Sequence, residues 1–200
     1  NPELAFEEFK ASKLLSDESE KVGMKVVREA YGLETAYASD FGNDGPRVAI
    51  LSEYDALPGI GHSCGHNIIA TTGFGAAAAL LEVKDSLPGS IRYLGTPAEE
   101  RGGGKEFMAQ EGAFEDVSAA MMVHPAGVDL STMPSICVSE VQVTYKGRSA
   151  HASAIPHMGI NALDALVTAY QAIAQLRQHI KQTERIHGIF EETGFAPNIV

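Results

Sequence analysis

The sequence contains no apolar run that approaches the roughly 20 residues a membrane-spanning helix needs, so we expect no membrane partner. Its first residues also lack the charged and then apolar pattern of a secretory signal, and we expect a cytoplasmic protein. No initiator methionine precedes residues 1–8, which have the pattern of a helix entered abruptly. The chain is therefore expected to be a fragment of a longer protein.

Basic residues are scarce as well. Lysine and arginine number 15 against 26 aspartates and glutamates, which gives a formal net charge of −11. Nucleic acid needs a basic face to bind its phosphates, so this balance argues against such a partner. Acidic surfaces are common among soluble enzymes and indicate nothing more specific.

Cysteine occurs only twice, at Cys64 and Cys137. A disulfide between them is one interpretation, but His62 and His66 flank Cys64, which favours a metal thiolate in a reducing compartment. A redox or nucleophilic thiol has less support, because no second cysteine lies near Cys64 in the sequence and a metal-free thiolate would be required.

Strands and helices alternate along the first two thirds of the chain, which predicts an α/β architecture. An amphipathic helix is predicted from near Leu4 to about Val22, where apolar residues recur at helical spacing. The other predicted elements are strands at 25–28, 34–38, 47–51, 91–95 and 119–123, and helices at 68–81 and 104–111.

The pattern changes after Ser135, and we predict one domain over residues 1–134 and a second, small α+β domain over 135–200. Residues 136–145 alternate in the manner of a strand, and residues 159–180 form the strongest amphipathic helix of the chain. A returning strand is predicted at 186–190. Such one-sided patterning is typical of a sheet with only one covered face.

Residues 61–67, with the sequence GHSCGHN, are the most informative motif. Cys64 and His66 are two residues apart, and the flanking glycines permit backbone turns that aim both side chains at one point. Thiolate, imidazole and carboxylate together suit zinc, while added carboxylate and water suit manganese. Asp55, a little upstream, can orient a ligand imidazole through a hydrogen bond. His62 is interpreted as a supporting residue, since the other two donors already occupy the tight turn.

Glu99 and Glu100 follow the strand predicted at 91–95. Adjacent side chains in extended backbone point to opposite sides, so one carboxylate can bind a metal while its neighbour takes a proton from water that the metal activates. Amide hydrolysis needs this division of labour. Two solvated glutamates at the start of a loop are the plainer interpretation of the pair taken alone.

His124 ends the strand predicted at 119–123, where a lone histidine is more often a satisfied core or edge residue than a ligand. Because ligands in open α/β sheets gather at the carboxyl ends of strands, the clusters around Cys64 and Glu99 make a metal ligand the favoured interpretation of His124. Three glycines at residues 102–104 precede a predicted helix, and they could cradle an anion or form a plain turn.

His151 lies in the second predicted domain, in the turn that follows a strand. It is either an exposed loop residue or a hydrogen-bond donor that stabilises the oxyanion of a tetrahedral intermediate. The residues around it leave both interpretations open.

Taken together, these motifs resemble the aminoacylase and carboxypeptidase superfamily of co-catalytic metallopeptidases, in the branch of hippurate hydrolase, the auxin-conjugate amidohydrolases and aminobenzoyl-glutamate hydrolase. Within that branch, the chain is most similar to the Xaa-Arg and β-alanyl-lysine dipeptidase group. The resemblance rests on segments in family order: NPEL at 1–4, EYDALP at 53–58, CGHN at 64–67, PAEE at 97–100, GGGK at 102–105, HP at 124–125, GRSAH at 147–151, GINAL at 159–163 and HGI at 187–189.

The resemblance implies a metal-dependent site of Zn²⁺ or Mn²⁺, with two ions when the site is complete. The residues it assigns are the metal ligands Cys64, His66, Glu100 and His124, the general base Glu99, and the supporting residue Asp55. Asn67 stands where many relatives have Asp, a departure that the dipeptidase group shares. The family takes its last metal-ligating histidine from a C-terminal segment, and we expect that residue beyond position 200.

The resemblance also implies a catalytic domain with a mixed sheet flanked by helices, into which a ferredoxin-like α+β lid domain is inserted. Part of that lid is expected over residues 135–200. In the family the lid mediates homodimer formation, and its histidine, here His151, completes the active site of the partner subunit. Asn161 is implied to contact the substrate or the oxyanion region.

We therefore predict metal-dependent hydrolysis of the amide bond of a dipeptide or an N-acyl amino acid. The alternative is a non-catalytic relative that keeps the fold for dimerisation or ligand binding, or an inactive fragment. A lost base or ligand would mark such a relative, and no motif position present in the chain is lost.

Overall fold

The computed structural model describes residues 2–132 and 137–200. The chain divides into two compact units, one that ends at Leu130 and one that begins at Ser131. The boundary predicted between residues 134 and 135 lies outside the described residues. So do Asn1 of the first family motif and Ile136 at the start of a predicted strand.

A five-stranded sheet, three α-helices and two short 3-10 helices make up the described part of the first unit. The strands are Val27–Arg28 (β1), Tyr37–Gly42 (β2), Arg47–Ser52 (β3), Ser90–Gly95 (β4) and Val117–Met121 (β5). The α-helices are Phe9–Lys21 (α1), His66–Glu82 (α2) and Gly104–Gln110 (α3). The predicted α/β architecture, a mixed sheet flanked by helices, is confirmed. Across the described residues of both units, every helix is too short or too polar to cross a membrane.

The strand order places the ends of three strands at one edge of the sheet. The order is β1-β2-β4-β3-β5, and β3 pairs in parallel with both β4 and β5. Strand β2 runs antiparallel to β4, and β1 antiparallel to β2. Ser52 pairs with Gly95, and Ile50 with Met121. The segments that follow β3, β4 and β5 therefore begin side by side.

Apolar side chains form a separate core cluster on each face of the sheet. One cluster contains Ile50, Tyr93 and Ala77 of α2, and the other contains Leu94 and Met108 of α3. Neighbouring residues of β4 thus point into opposite clusters, as expected for a strand that is covered on both faces. Helices on both faces hold the central strands in place beneath the loops at their carboxyl ends.

The first helix begins at Phe9, later than predicted. Phe6 has a φ of 65°, and the Glu7 amide donates to the Leu4 carbonyl, so this stretch forms a turn rather than helix. The Glu3 carboxylate accepts hydrogen bonds from the backbone amides of residues 10 and 11, at 3.1 and 2.8 Å. It thereby satisfies amides that have no partner within the first turn of a helix.

In the second unit, helix α4 spans Ala162–Leu176, which is shorter than the predicted 159–180. The strands predicted at 136–145 and 186–190 are wrong over their described residues, where no strand is formed. The alternation of the first segment leaves Val138 and Val141 about four fifths exposed, at 82% and 78%. An alternating sequence becomes a strand only when a partner strand takes up its hydrogen bonds. In the described part of this unit, the only such pairings are isolated bridges, for example between His151 and Ile199.

Candidate metal centre

The loops after β3, β4 and β5 bring together the site residues predicted in the first unit. These are Asp55, Cys64 and His66 after β3, Glu99 and Glu100 after β4, and His124 after β5. Every one of them has a polar atom within 3.7 Å of another member of the set. Parallel pairing of the three strands accounts for this, because it starts the three loops at one edge.

Cys64, His66 and His124 form a first group of candidate ligands. One ligand atom from each lies within 4.8 Å of the other two. Cys64 Sγ is 3.5 Å from His124 Nε2, and the two imidazole rings are nearly perpendicular, with centroids 6.1 Å apart. Sulfur and imidazole nitrogen in so compact an arrangement are donors that zinc prefers.

Gly65 permits the close approach of two of these loops. It precedes the first residue of α2 and has a φ of 88°, in the left-handed region that favours glycine. A Cβ at this position would lie 2.4 Å from Cγ of Pro125, the residue after His124. The missing side chain therefore lets the loop after β5 contact the start of α2.

Both imidazoles present Nε2 to the centre as an acceptor. His66 Nδ1 is 2.8 Å from Asp55 Oδ1, and His124 Nδ1 is 2.8 Å from the Pro125 carbonyl oxygen. Carboxylate and carbonyl oxygens only accept, so each Nδ1 carries a proton, and in the neutral imidazole each Nε2 has a free lone pair. A metal-ligating histidine needs this tautomer.

Asp55 joins two of the loops. Its Oδ1 faces His66, and its Oδ2 accepts a hydrogen bond from the Glu100 amide at 2.9 Å. Burial alone would raise the pKa of Asp55, but the hydrogen bonds from His66 and the Glu100 amide outweigh it and lower the pKa. An ionised, buried carboxylate thus orients an imidazole and fixes the backbone that carries Glu100.

Glu99 and Glu100 both approach His66 Nε2 but differ in exposure. Glu100 Oε1 is 3.6 Å from His66 Nε2, and Glu99 Oε2 is 3.7 Å from the same atom. The Glu99 side chain keeps 45% of its surface exposed, against 19% for Glu100, so Glu99 faces the open side. Ala98, just before the pair, has a φ of 58°, a conformation that costs a non-glycine residue about 1–2 kcal/mol. Surrounding contacts must therefore hold this loop.

Glu53 and Lys105 also belong to the site but are absent from the sequence-based prediction. Glu53 is nearly fully buried, its Oε2 lies 3.6 Å from His66 Nε2, and it forms a second group of candidate ligands with His66 and Glu99. Lys105 Nζ donates to Glu53 Oε1. The two-residue period of an extended segment could have placed Glu53 beside Asp55. Nothing local indicates the contact with Lys105.

Carboxylates dominate the electrostatics of the centre. Burial, followed by the nearby carboxylates of Glu100, Glu99 and Glu53, raises the pKa of the Cys64 thiol to about 11. Burial and then the charge of Glu53 raise the pKa of Glu99. Both shifts disfavour further negative charge, as expected where several anionic donors face one another without a cation.

Two buried acceptor atoms at the centre have no hydrogen-bond partner among the described residues, His66 Nε2 and Glu100 Oε1. The two atoms are 3.6 Å apart. A buried polar atom without a partner costs roughly 1–3 kcal/mol. A cation between the imidazole nitrogen and the carboxylate oxygen would satisfy both, so the residues present fit a divalent metal. The set of thiol, imidazole and carboxylate is compatible with zinc or manganese.

The two other predicted site residues lie in the second unit and make local contacts. His151 Nδ1 accepts from the Ser153 amide at 3.3 Å, so the ring proton lies on Nε2 and that nitrogen can donate. Asn161 Oδ1 accepts from the amides of Leu163 and Asp164, at 2.9 and 3.3 Å, and thereby caps α4. A capping role for Asn161 is absent from the sequence-based prediction, although Asn before a helical pattern is a common cap.

Three other sequence features have simple outcomes. Both cysteines are free thiols, so the disulfide interpretation is wrong. The Nδ1 atom of His62 is buried and has no hydrogen-bond partner among the described residues. Residues 102–104 form the turn that begins α3, and Gly103 there has a φ of 67°. A turn at the start of a helix fits both interpretations of the glycine run, the plain turn and the anion cradle.

Comparison with known proteins places these features in a family. The sequence profile of peptidase family M20/M25/M40 matches residues 49–195. The Xaa-Arg dipeptidase of Mus musculus is 42% identical over all of this chain and 49% of its own length. One of the subunits of the p-aminobenzoyl-glutamate hydrolase of Escherichia coli is 35% identical over all of this chain and 46% of its own length.

A solved structure is similar to part of the chain in fold and in sequence. The Bacillus subtilis YXEP protein, described as a dinuclear metal binding peptidase of the M20 family, superposes with a TM-score of 0.56 at 29% identity. The match covers 60% of this chain and 38% of that protein. The chain spans about half the length of the curated relatives it matches.

Proposed function

The chain belongs to peptidase family M20/M25/M40, and we propose that the protein hydrolyses the amide bond of a dipeptide or an N-acyl amino acid with the help of divalent metal. One observation carries this proposal: His66 Nε2 and Glu100 Oε1, which are buried and have no hydrogen-bond partner among the described residues, lie beside the open carboxylate of Glu99. The related dipeptidase and aminobenzoyl-glutamate hydrolase support the substrate class.

The proposed metal ligands are Cys64, His66, Glu100 and His124. Asp55 holds His66 in the ligating tautomer, and Glu53 adds a further carboxylate beside the same imidazole. We propose Zn²⁺ or Mn²⁺, with two ions when the site is complete, since the similar B. subtilis peptidase is described as dinuclear.

Glu99 is the proposed general base. When bound, a divalent metal polarises the scissile carbonyl and lowers the pKa of water. Glu99 takes the proton from the attacking water and delivers it to the leaving amine. Its exposed position leaves room for the scissile bond.

The second unit is proposed to supply substrate contacts. The Nε2 proton of His151 suits a donor to the oxyanion of a tetrahedral intermediate, and Asn161 is proposed to contact the same region. The residues from 135 onward are proposed to form part of a lid through which the protein dimerises, so that His151 serves the site of the partner subunit. We propose a cytoplasmic location.

Substitution of the general base tests the proposal. In the complete protein loaded with zinc or manganese, Glu99→Gln should lower kcat on β-alanyl-lysine, Xaa-Arg dipeptides, hippurate or aminobenzoyl-glutamate by about 10²–10⁴-fold. Metal content, measured by elemental analysis, should stay near that of the wild type. Exposed Glu106, changed to Gln, is the matched control.

Cys64→Ala and Glu100→Ala should instead lower the amount of bound metal. Full turnover in the Glu99→Gln variant would reject the mechanism. A wild-type protein that binds metal but cleaves none of the four substrate classes would favour the non-catalytic alternative.

A further inference from the structure

Glu8 has no place in the proposed chemistry, yet its side chain is completely buried. It lies just before α1, and its Oε1 accepts a hydrogen bond from the Ala98 amide at 2.8 Å. Ninety residues of sequence separate the two, so the contact depends on the tertiary fold. Buried carboxylates are rare and normally serve a group that needs them.

The partner of Glu8 is the residue that directs the general base. Ala98 immediately precedes Glu99 and has the left-handed backbone conformation described above. Its amide is held by Glu8, and its carbonyl accepts from the Gly104 amide at 3.0 Å. A backbone in a sparsely populated conformation persists when contacts on both sides fix it, and it then sets the direction in which the following side chains leave the chain.

A second group of contacts anchors Glu8 itself. Thr35 Oγ1 donates to Glu8 Oε2 at 2.9 Å, and Tyr54 Oη donates to the Thr35 carbonyl at 2.6 Å. Tyr54 stands between Glu53 and Asp55 in the loop after β3. Buried hydrogen bonds therefore connect the start of α1 with the loops after β3 and β4.

We propose that Glu8 is a positioning residue, whose carboxyl group holds the Ala98 amide and thereby aims Glu99 and Glu100 into the centre. Glu8 touches neither substrate nor metal in this assignment. The effect on turnover rests on the proposed function of Glu99, whereas the effect on the loop does not.

Three variants of the complete, metal-loaded protein test the assignment. Glu8→Ala removes the acceptor and should lower kcat by about 10–100-fold with little change in KM, as expected when a reacting group is misplaced by a distant change. Glu8→Gln should recover most of that loss, because its amide oxygen can accept from Ala98 and its amide nitrogen can face Thr35. Exposed Glu7, changed to Gln, is the matched control and should behave as the wild type.

Hydrogen exchange in the peptide over residues 95–103 gives a readout that needs no turnover. Exchange should be faster in Glu8→Ala than in the wild type, and should return toward the wild-type rate in Glu8→Gln. If the wild-type protein cleaves no amide, the proposed function is rejected. The exchange data still show whether Glu8 holds the loop that carries Glu99.

Unchanged exchange in Glu8→Ala, or a Glu8→Gln variant no better than Glu8→Ala in exchange, would overturn the assignment. If Glu8→Ala does not fold, Thr35→Val takes its place, because it removes one donor and keeps the carboxyl group. In Thr35→Val we then expect smaller changes in kcat and in exchange, in the same direction. Exchange in this variant equal to that of the wild type would overturn the assignment.

Discussion

The two units hold their candidate site residues in different ways. In the first unit, His66 and Asp55 are buried, and Asp55 contacts residues 11 and 45 positions away in the chain. In the second unit, His151 and Asn161 are exposed, and among the residues that the structure describes their side chains form hydrogen bonds only with groups two or three residues away. A group with distant partners is fixed by the whole fold, whereas one with adjacent partners is fixed by its own segment. The candidate metal ligands are therefore preorganised within the first unit, and the candidate substrate contacts are not.

The largest expected effect is that of His151→Ala, which tests the role proposed for the second unit. We expect kcat to fall by about 10²–10³-fold, the effect of losing one oxyanion donor, while the metal content stays that of the wild type. Kinetics and elemental analysis on the complete protein measure both. His157→Ala, at an exposed histidine of the same unit, should change neither. Loss of metal in His151→Ala would contradict the proposal that the first unit binds the metal and the second unit contacts the substrate.

Asp55→Asn tests whether buried contacts in the first unit preorganise the candidate metal centre. Asp55 accepts through two oxygens, whereas asparagine has one acceptor oxygen and an NH2 group that only donates. One of the two contacts, with His66 Nδ1 or with the Glu100 amide, is therefore lost, and we expect metal affinity to weaken by about 10–100-fold. Competition with a chelator measures that affinity. Asp164→Asn, at an exposed aspartate of the second unit, is the matched control and should leave affinity unchanged. Equal affinities in Asp55→Asn and the wild type would show that the buried contacts do not preorganise the centre.

The smallest expected effect is a change in stability at Asn161. It separates the helix-capping role of this residue from its proposed contact with substrate. Loss of the helix cap in Asn161→Ala should lower the free energy of unfolding by about 1 kcal/mol, while Asn161→Ser keeps a capping oxygen and should remain close to the wild type. Urea denaturation measures both. If Asn161 also contacts substrate, kcat/KM should fall in both variants, because serine lacks the amide group. If Asn161→Ser has the kcat/KM of the wild type, the substrate contact is rejected and the residue only caps the helix.

The centre was largely predictable because its donors follow parallel strands. Apolar runs at 47–51, 91–95 and 119–123 locate β3, β4 and β5, and chemistry-bearing residues after such strands meet at one edge. Glu8 and Lys105 could not be found in this way. Their partners, Ala98 and Glu53, lie 90 and 52 residues away, and no local pattern encodes such pairings.

The second unit shows the opposite limit of sequence reasoning. Alternation at 136–145 specifies which side chains would share a face of a strand, but it does not supply a neighbouring strand. Helix α4 was predictable, since its apolar period and its cap at Asn161 are both local signals. Local patterns thus locate these helices and strands to within a few residues, and they fail where pairing decides the structure.

Gly65 has a consequence for how sequence variation in this protein should be interpreted. The position carries no donor atom, so a survey of ligand residues would treat it as neutral. Yet an added methyl group there would collide with Pro125, and its φ of 88° disfavours any side chain. An alanine at this position would press His124 away from Cys64. In a genetic screen it would therefore have the phenotype expected for the loss of a proposed metal ligand, although every proposed ligand residue would still be present.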